Sequence, residues 1–449
     1  MSTPAADPQA LLRSRSYLVL LAFAVLIGVP VSAAAYGFLA LVSYLQREVF
    51  VHLPHALGFG SAPAWWPLPM LVAGGIAVAL AIRYLPGEGG PSPAYGFGLH
   101  PAPSPAQLPG VILAALATLS FGVVLGPEMP LILLGGGLAV LATRLARRPV
   151  PEQARAVIAS TGSFAAVATL LGSPLTGAFL LMEASGLGGP MMGLVLIPGL
   201  LAAGIGSLIF LGLNAWTGLG TFSLAIGHLP RVGSPTLSEF GWAIAIGLAA
   251  ALIGTGIRWL GLALRGVSAP RVLFALQAAG LAVGALAMAY HGGSGKPASQ
   301  VLFSGQSALG PLLRHSAGYT AWALVLLIVC KGLAYGISLS SFRGGPVFPA
   351  MFVGAATGLA FSHLPGLTPV TGAAMGIGAT CVIMLTLPLT SVLLATLLLG
   401  ADGLDVMPLV IVAVVVAYVA SAHLRPGHLA EPGRAGPGQA AVRAGKPAG

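Results

Sequence analysis

Long apolar stretches separated by short polar breaks fill most of the chain. Tyr17 to Tyr44, Trp66 to Leu85, Met191 to Leu213, Phe240 to Leu264 and Gly318 to Leu339 all reach the roughly 20 residues a helix needs to cross a hydrocarbon core. The first stretch is longer than the apolar segment of a signal peptide, and further spanning runs follow it, so it reads as a membrane helix rather than a cleaved leader. The fold class this pattern predicts is an all-α integral membrane protein. Residues 1–16 form an N-terminal segment, 17–424 the membrane domain, and 425–449 a Pro/Gly/Ala-rich tail with too little apolar content to pack.

The polar positions inside the membrane domain are as informative as the apolar ones. Gly and Pro interrupt apolar runs such as Gly126 to Gly137 and Gly344 to Gly358. Helices broken within a membrane ordinarily face a cavity or pathway rather than lipid. The interruptions also repeat. GPEMPLILLGGGLA (Gly126 to Ala139) is followed by GSPLTGAFLLMEA (Gly172 to Ala184), and GGPVFPAMFVGAATGLA (Gly344 to Ala360) by TLPLTSVLLATLL (Thr386 to Leu398). Each pair joins a Gly/Pro-rich helix start to a later PLT helix start. The chain therefore divides into two related halves, about 17–213 and 240–424, split near the polar stretch Gly227 to Ser238. Small residues at such points also let helices pack closely, which accounts for GGGLA or GAATGLA taken alone; the paired elements favour a site at the interface of the halves.

Composition agrees with lipid as the solvent: 57% of residues are hydrophobic and only 7% charged, against about a quarter charged in soluble domains. The net charge of +10 does not indicate nucleic acid, because Lys and Arg are scattered between apolar runs. Arg13 and Arg15, the group Arg144, Arg147, Arg148 and Arg155, and Arg434, Arg443 and Lys446 in the tail place both termini on the cytoplasmic side by the positive-inside rule. The expected location is the cell membrane. Two cysteines, Cys330 and Cys381, both within apolar runs, suggest neither a disulfide framework nor a metal cage.

Among the ten acidic residues, Glu128 and Glu183 lie within apolar stretches, and intramembrane acids are functional candidates by default. Glu128 follows Gly126 and Pro127 and precedes Pro130, a pattern that starts a helix inside the membrane. Unpaired N–H groups and the positive end of the helix dipole make such a start an anion site without a full positive charge. A carboxylate there occupies the place of a passing anion and leaves when protonated. In a soluble helix the same glutamate would only complement the dipole, a gain of about 0.3–1 kcal/mol; burial in a membrane, at several kcal/mol, favours gating.

The ordered set of motifs resembles the CLC family of chloride channels and chloride/proton exchangers. GPEMP is similar to the family's Gly-basic-Glu-Gly-Pro element, GGPVFP to its Gly-x-Phe-x-Pro element, and GGPSP (Gly89 to Pro93) to the element that supplies a serine to the central anion site. GSPLTGAFLLMEA, VLFSGQSALG (Val301 to Gly310) and KGLAYGISLSS (Lys331 to Ser341) follow in family order, so the resemblance spans about 17–424. It implies an inverted-topology repeat of broken and tilted helices, Glu128 as the gate, and Ser92, Gly126, Met129, Val347 and Phe348 along the anion path. It also implies a homodimer with one pore per subunit. In a Pro/Gly-rich segment Ser92 reads equally well as a turn or cap residue. The short tail points to the prokaryotic type without paired CBS domains.

Departures bear on mechanism. Pro127 stands where the family has a basic residue, and Val347 where it has Phe, with Phe348 next. The central tyrosine near the C-terminal end is missing, the aligned segment offering His428. Exchangers carry two consecutive glutamates where this chain has Glu183 then Ala184, and the absent second one resembles their internal proton-transfer residue. Glu183 is kept as a candidate for a proton or water path. The expected function is transmembrane movement of chloride or similar small anions, channel-like or weakly coupled to protons, with a chloride/proton antiporter as the alternative. An intramembrane enzyme is a weaker reading: His52, His55, His100, His291, His315 and His363 lack metal-ligand spacing, and no serine has a paired base. Neither cofactor nor metal is expected.

Overall fold

The computed structural model of the chain describes residues 13–424 apart from 99, 146–151, 169, 172, 187–189, 223, 225–232, 269–270 and 401–402. The tail, His428 and the first half of the polar stretch between the halves, 227–232, lie outside the described residues, as do Arg147 and Arg148.

Among the described residues the fold is helical throughout. The first half holds α1 (Arg15–Arg47), α2 (Pro67–Tyr84), α3 (Leu108–Ser120), α4 (Glu128–Leu145), α5 (Glu152–Val167), α6 (Pro174–Ser185) and α7 (Pro190–Thr217). The second holds α8 (Leu237–Ser268), α9 (Val272–Ser294), α10 (Gln306–Arg314), α11 (Ala321–Ser341), α12 (Val347–Phe361), α13 (Pro369–Leu385), α14 (Pro388–Leu398) and α15 (Gly403–Leu424). The local chemistry at the helix starts is regular. Ser14, Ser173, Thr320 and Thr368 accept main-chain N–H groups as N-caps, and Pro67, Pro174, Pro369 and Pro388 occupy first positions, where no donor is lost.

Eight helices, α1, α2, α4, α7, α8, α9, α11 and α15, are long and apolar enough to cross a membrane among the described residues. Several present Leu or Val outward, with Leu26 69%, Leu208 69% and Leu252 64% exposed, as a lipid-facing surface requires. The shorter helices α12 and α13 behave differently. Every residue of α13 from Val370 to Leu385 is buried, so its apolar faces meet protein on all sides. Gly354 and Gly358 of α12 lie against Gly376 and Gly372 of α13 so closely that a Cβ would collide with the facing main chain. Gly135 of α4 and Gly162 of α5 make the same contact in the first half. In both halves, then, a helix opening on a Gly/Pro segment packs through facing glycines on the next helix.

Chain direction follows from one contact. α1 carries the chain away from the N-terminal side, and Trp66, just before α2, donates its Nε1–H to the carbonyl of Val49 beyond the end of α1 at 2.9 Å. α2 therefore starts on the far side, and its 18 residues, about 27 Å long, return the chain to the N-terminal side at Glu88.

Candidate functional site

The two halves meet through two glycines. Gly126 N–H donates to Gly345 O at 2.8 Å and Gly345 N–H to Gly126 O at 2.7 Å, an isolated antiparallel bridge between the segments that open α4 and α12. Gly126, expected among the anion-binding residues, thus has its N–H committed to the bridge; a second reason for glycine is room. A Cβ on either Gly126 or Gly345 would run into the carboxyl group of Glu128.

Glu128 is the first residue of α4 and is fully buried. Its Oε1 accepts the N–H of Val347 and, at 3.3 Å, that of Phe348, the first two residues of α12. Its Oε2 has no partner among the described residues. Hydrogen bonds to an ionised acceptor contribute about 1.5–3 kcal/mol each, and the positive end of α12 adds to them. The carboxylate of one half is therefore lodged on the helix start of the other. Met129, next in α4, is buried in the core.

Outside this point, on the side where α1 ends, a cavity of about 320 Å³ is lined by Leu125 and Pro127 from the loop before Glu128, and by Phe303, Ser304, Gln306 and Arg314. Arg314 brings a positive charge to the cavity from a different element, whereas the position preceding the glutamate is the neutral Pro127.

Ser92 is 6% exposed, and its Oγ has no partner among the described residues. It precedes a three-residue turn, Pro93–Tyr95, without making a side-chain cap bond, so the capping role open from its sequence context is not the one it plays. Gly90, two residues earlier, packs against Leu133 of α4.

Glu183 sits elsewhere. Its Oε1 accepts Leu389 N–H at 3.1 Å, and its Oε2 accepts Thr390 N–H at 2.7 Å and Thr390 Oγ–H at 2.6 Å. All three donors belong to the first turn of α14, so the last turn of α6 caps the second PLT helix.

Three further residues frame the site. Ser338 Oγ accepts Val124 N–H at 3.3 Å, and Tyr335, three residues earlier on α11, donates its hydroxyl to Pro346 O at 2.6 Å. One face of α11 thus braces both loops that carry the bridge. One turn before Tyr335, Lys331 is fully buried, and its Nζ donates to the carbonyls of Gln300, Val301, Leu302 and Phe303 at 3.0–3.2 Å. The KGLAYGISLSS motif contained all three residues, and their 4- and 3-residue spacing on one helix face was the available signal. No group of three His, Cys, Asp or Glu positioned to hold a metal occurs among the described residues.

A family model described as voltage gated chloride channel matches residues 73–422. A protein of Escherichia coli O7:K1 named "Putative ion-transport protein YfeO" is 30% identical over 365 residues, covering 79% of this chain and 82% of its own length. Its counterpart in Escherichia coli O1:K1 is 31% identical over the same shares. Among solved structures, a slow cyanobacterial Cl−/H+ antiporter superposes with a TM-score of 0.70 at 18% identity, covering 90% of this chain and 94% of its own. A CLC-type fluoride/proton antiporter gives 0.63 at 20% identity over 90% and 95%. At these identities the structural likeness speaks for the fold: an inverted repeat of broken helices spanning the membrane several times. With the family model covering most of the membrane domain, the chain belongs to the voltage-gated chloride channel, or CLC, family.

Proposed function

We propose that this chain passes chloride and similar small anions through a path closed by Glu128, as a channel or with weak coupling to protons. The observation that carries this reading is the lodging of the Glu128 carboxylate on the N–H groups of Val347 and Phe348. Those groups form the anion-attracting end of α12, and they are held by an anion built into the other half. Protonation removes the charge that competes for them, so the side chain gives up its place to a mobile anion. Gly126 and Gly345 leave the space the carboxyl group occupies. The proposed setting is the cell membrane with both termini cytoplasmic, as a homodimer with one pore per subunit, a state taken from the family resemblance.

An intramembrane enzyme would need a nucleophile with a base or a metal set near Glu128. The hydrogen bonds its carboxylate accepts come instead from the main chain of Val347 and Phe348. The test is anion flux in proteoliposomes carrying wild type or Glu128→Gln, which keeps the shape and removes the charge. Faster flux that no longer varies with pH is the expected outcome; a variant matching wild type in rate and pH response would remove Glu128 as the gate.

A further inference from the structure

Besides the outer cavity, a groove of about 620 Å³ opens sideways from the molecule between α1, α2 and α3. Its walls are apolar apart from the hydroxyls of Tyr84 and Ser120. On α2 it follows Ala77, Leu80, Ala81 and Tyr84, one face of the helix at 3- and 4-residue spacing. The two helices touch where a Cβ on Gly74 would meet Phe121, and their connection closes in again where one on Gly110 would meet the carbonyl of Pro86. Between these contacts the short side chains of Ala77 and Ala117 leave the space. The rim faces lipid, with Leu80 and Leu113 half-exposed.

The groove has the length and the polarity of one lipid leaflet. Its inner end, at Phe121, is level with Gly74, and its mouth, at Tyr84, lies ten residues further along α2, about 15 Å. Half of a hydrocarbon core of roughly 30 Å is the same distance. Tyr84 is exposed at the N-terminal side of the membrane, where tyrosine ordinarily marks the interface. The Arg83 guanidinium lies 5.8 Å from the centre of its ring. Arg83 is exposed as well, and no carboxylate lies within ion-pair distance of it among the described residues. A chain that enters at Tyr84 and ends at Phe121 therefore meets a full positive charge at its entrance. An acyl chain under an anionic headgroup matches both ends; a zwitterionic lipid matches the apolar walls alone.

We propose that this groove binds one acyl chain of an anionic phospholipid from the leaflet on the N-terminal side, its phosphate on Arg83, and that its occupancy regulates the outer anion path. The binding stands by itself; the regulation rests on the anion-transport reading. Groove and outer cavity share one wall. Leu45, Val49 and Ser120 face the groove, while Val42, Gln46 and Leu119, beside them on α1 and α3, face the cavity. Gln46 Nε2 donates to Leu119 O at 2.8 Å and fastens the two helices within that wall. Seven residues after Leu119 the same chain reaches Gly126 of the bridge. A filled groove holds the wall against the cavity; an emptied one lets the last turns of α1 and α3 move toward lipid.

The test begins with native mass spectrometry of the purified full-length protein in a non-ionic detergent, titrated with dioleoylphosphatidylglycerol or dioleoylphosphatidylcholine. Wild type should retain one phosphatidylglycerol per chain about fivefold more tightly than phosphatidylcholine, and Arg83→Gln should lose that preference, since one arginine near the surface contributes about that much. Ala117→Trp, which fills the groove, should weaken both lipids at least about tenfold, the loss that excluding about two methylene groups brings. Equal affinity in wild type and Ala117→Trp overturns the site, as does a headgroup preference that survives Arg83→Gln. Where Ala117→Trp does not remain monodisperse, Ala77→Phe fills the groove from the opposite wall and is read in the same way. Chloride flux in proteoliposomes tests the regulation. Wild-type flux should differ at least about twofold between phosphatidylcholine alone and a mixture with phosphatidylglycerol, and Ala117→Trp flux should not. Identical wild-type flux in the two bilayers overturns the regulation and leaves the lipid site standing, whereas bound lipid with no flux in any bilayer sinks the transport reading instead.

Discussion

Glu183 and Thr390 are joined by two hydrogen bonds, at 2.7 Å from the threonine N–H and 2.6 Å from its hydroxyl, across 207 residues of sequence. With Leu389 N–H, they commit both carboxylate oxygens to the start of α14. An acid so occupied is a cap that ties the two PLT helices together, in addition to any part it plays in a proton or water path. Glu183→Ala should therefore lower stability by about 1–3 kcal/mol, as loss of an N-cap with charged acceptors does. Glu183→Gln, which retains one acceptor, should lose less. Thermal unfolding in detergent reads the difference, and equal melting points for wild type and alanine variant would refute the capping role.

Gly345 offers a separate handle on the gate. A Cβ there would overlap the carboxyl group of Glu128, yet the backbone bridge to Gly126 need not break. Gly345→Ala should displace the carboxylate from Val347 and Phe348 and raise flux at neutral pH. It should also flatten the pH response, approaching Glu128→Gln. Flux in proteoliposomes across a range of pH tests this, and an alanine variant with wild-type pH dependence would show that the carboxylate does not need the space.

How much of this was readable beforehand differs from residue to residue. The starts of α4 at Glu128 and of α12 at Val347 followed from their Gly/Pro segments, as did the PLT starts of α6 and α14, because proline at a first turn and apolar residues after it are local signals. The partner of Glu128 was legible only in outline: repetition of the halves put two helix starts together, but nothing local said that Glu128 of one would sit on Val347 of the other. Gly126, expected on the anion path, gives its N–H to Gly345, a pairing across the halves that no local signal announces. Ser338, Tyr335 and Lys331 went unassigned because their partners lie in loops separated from them in sequence.

Lys331 should matter for stability more than for permeation. Its Nζ gathers four successive carbonyls and lies 4.5 Å from the centre of the Phe352 ring, holding the Gln300–Phe303 segment against α12. Lys331→Met removes every one of those donors and should destabilise the protein by more than about 2 kcal/mol, because buried acceptors are left without a partner. Since Phe303 and Ser304 line the outer cavity, accessibility of a cysteine placed at Ser304 should rise as well. A melting temperature within a degree of wild type would mean that other donors take up the carbonyls.

Proton coupling is the property on which the chain's departures from its family bear most directly. A proton travelling from the cytoplasm to Glu128 needs stations, and ionisable side chains are the usual ones inside a membrane protein. Ala184, at the position where exchangers carry the second glutamate, cannot accept a proton, and it packs against the apolar core. Glu183 precedes it by about 100° of helix turn, and its oxygens are turned to Leu389 and Thr390. The expected outcome is that a chloride gradient imposed on sealed proteoliposomes moves little or no proton uphill, while external acid still speeds anion flux by releasing Glu128. The measurement is pH inside the vesicles under a chloride gradient, for wild type, Glu128→Gln and Ala184→Glu. Sustained uphill proton movement by wild type, abolished in Glu128→Gln, would make the protein an exchanger with a route that bypasses Ala184. Coupling that appears only in Ala184→Glu would show that the missing carboxyl group is what separates this chain from the exchangers.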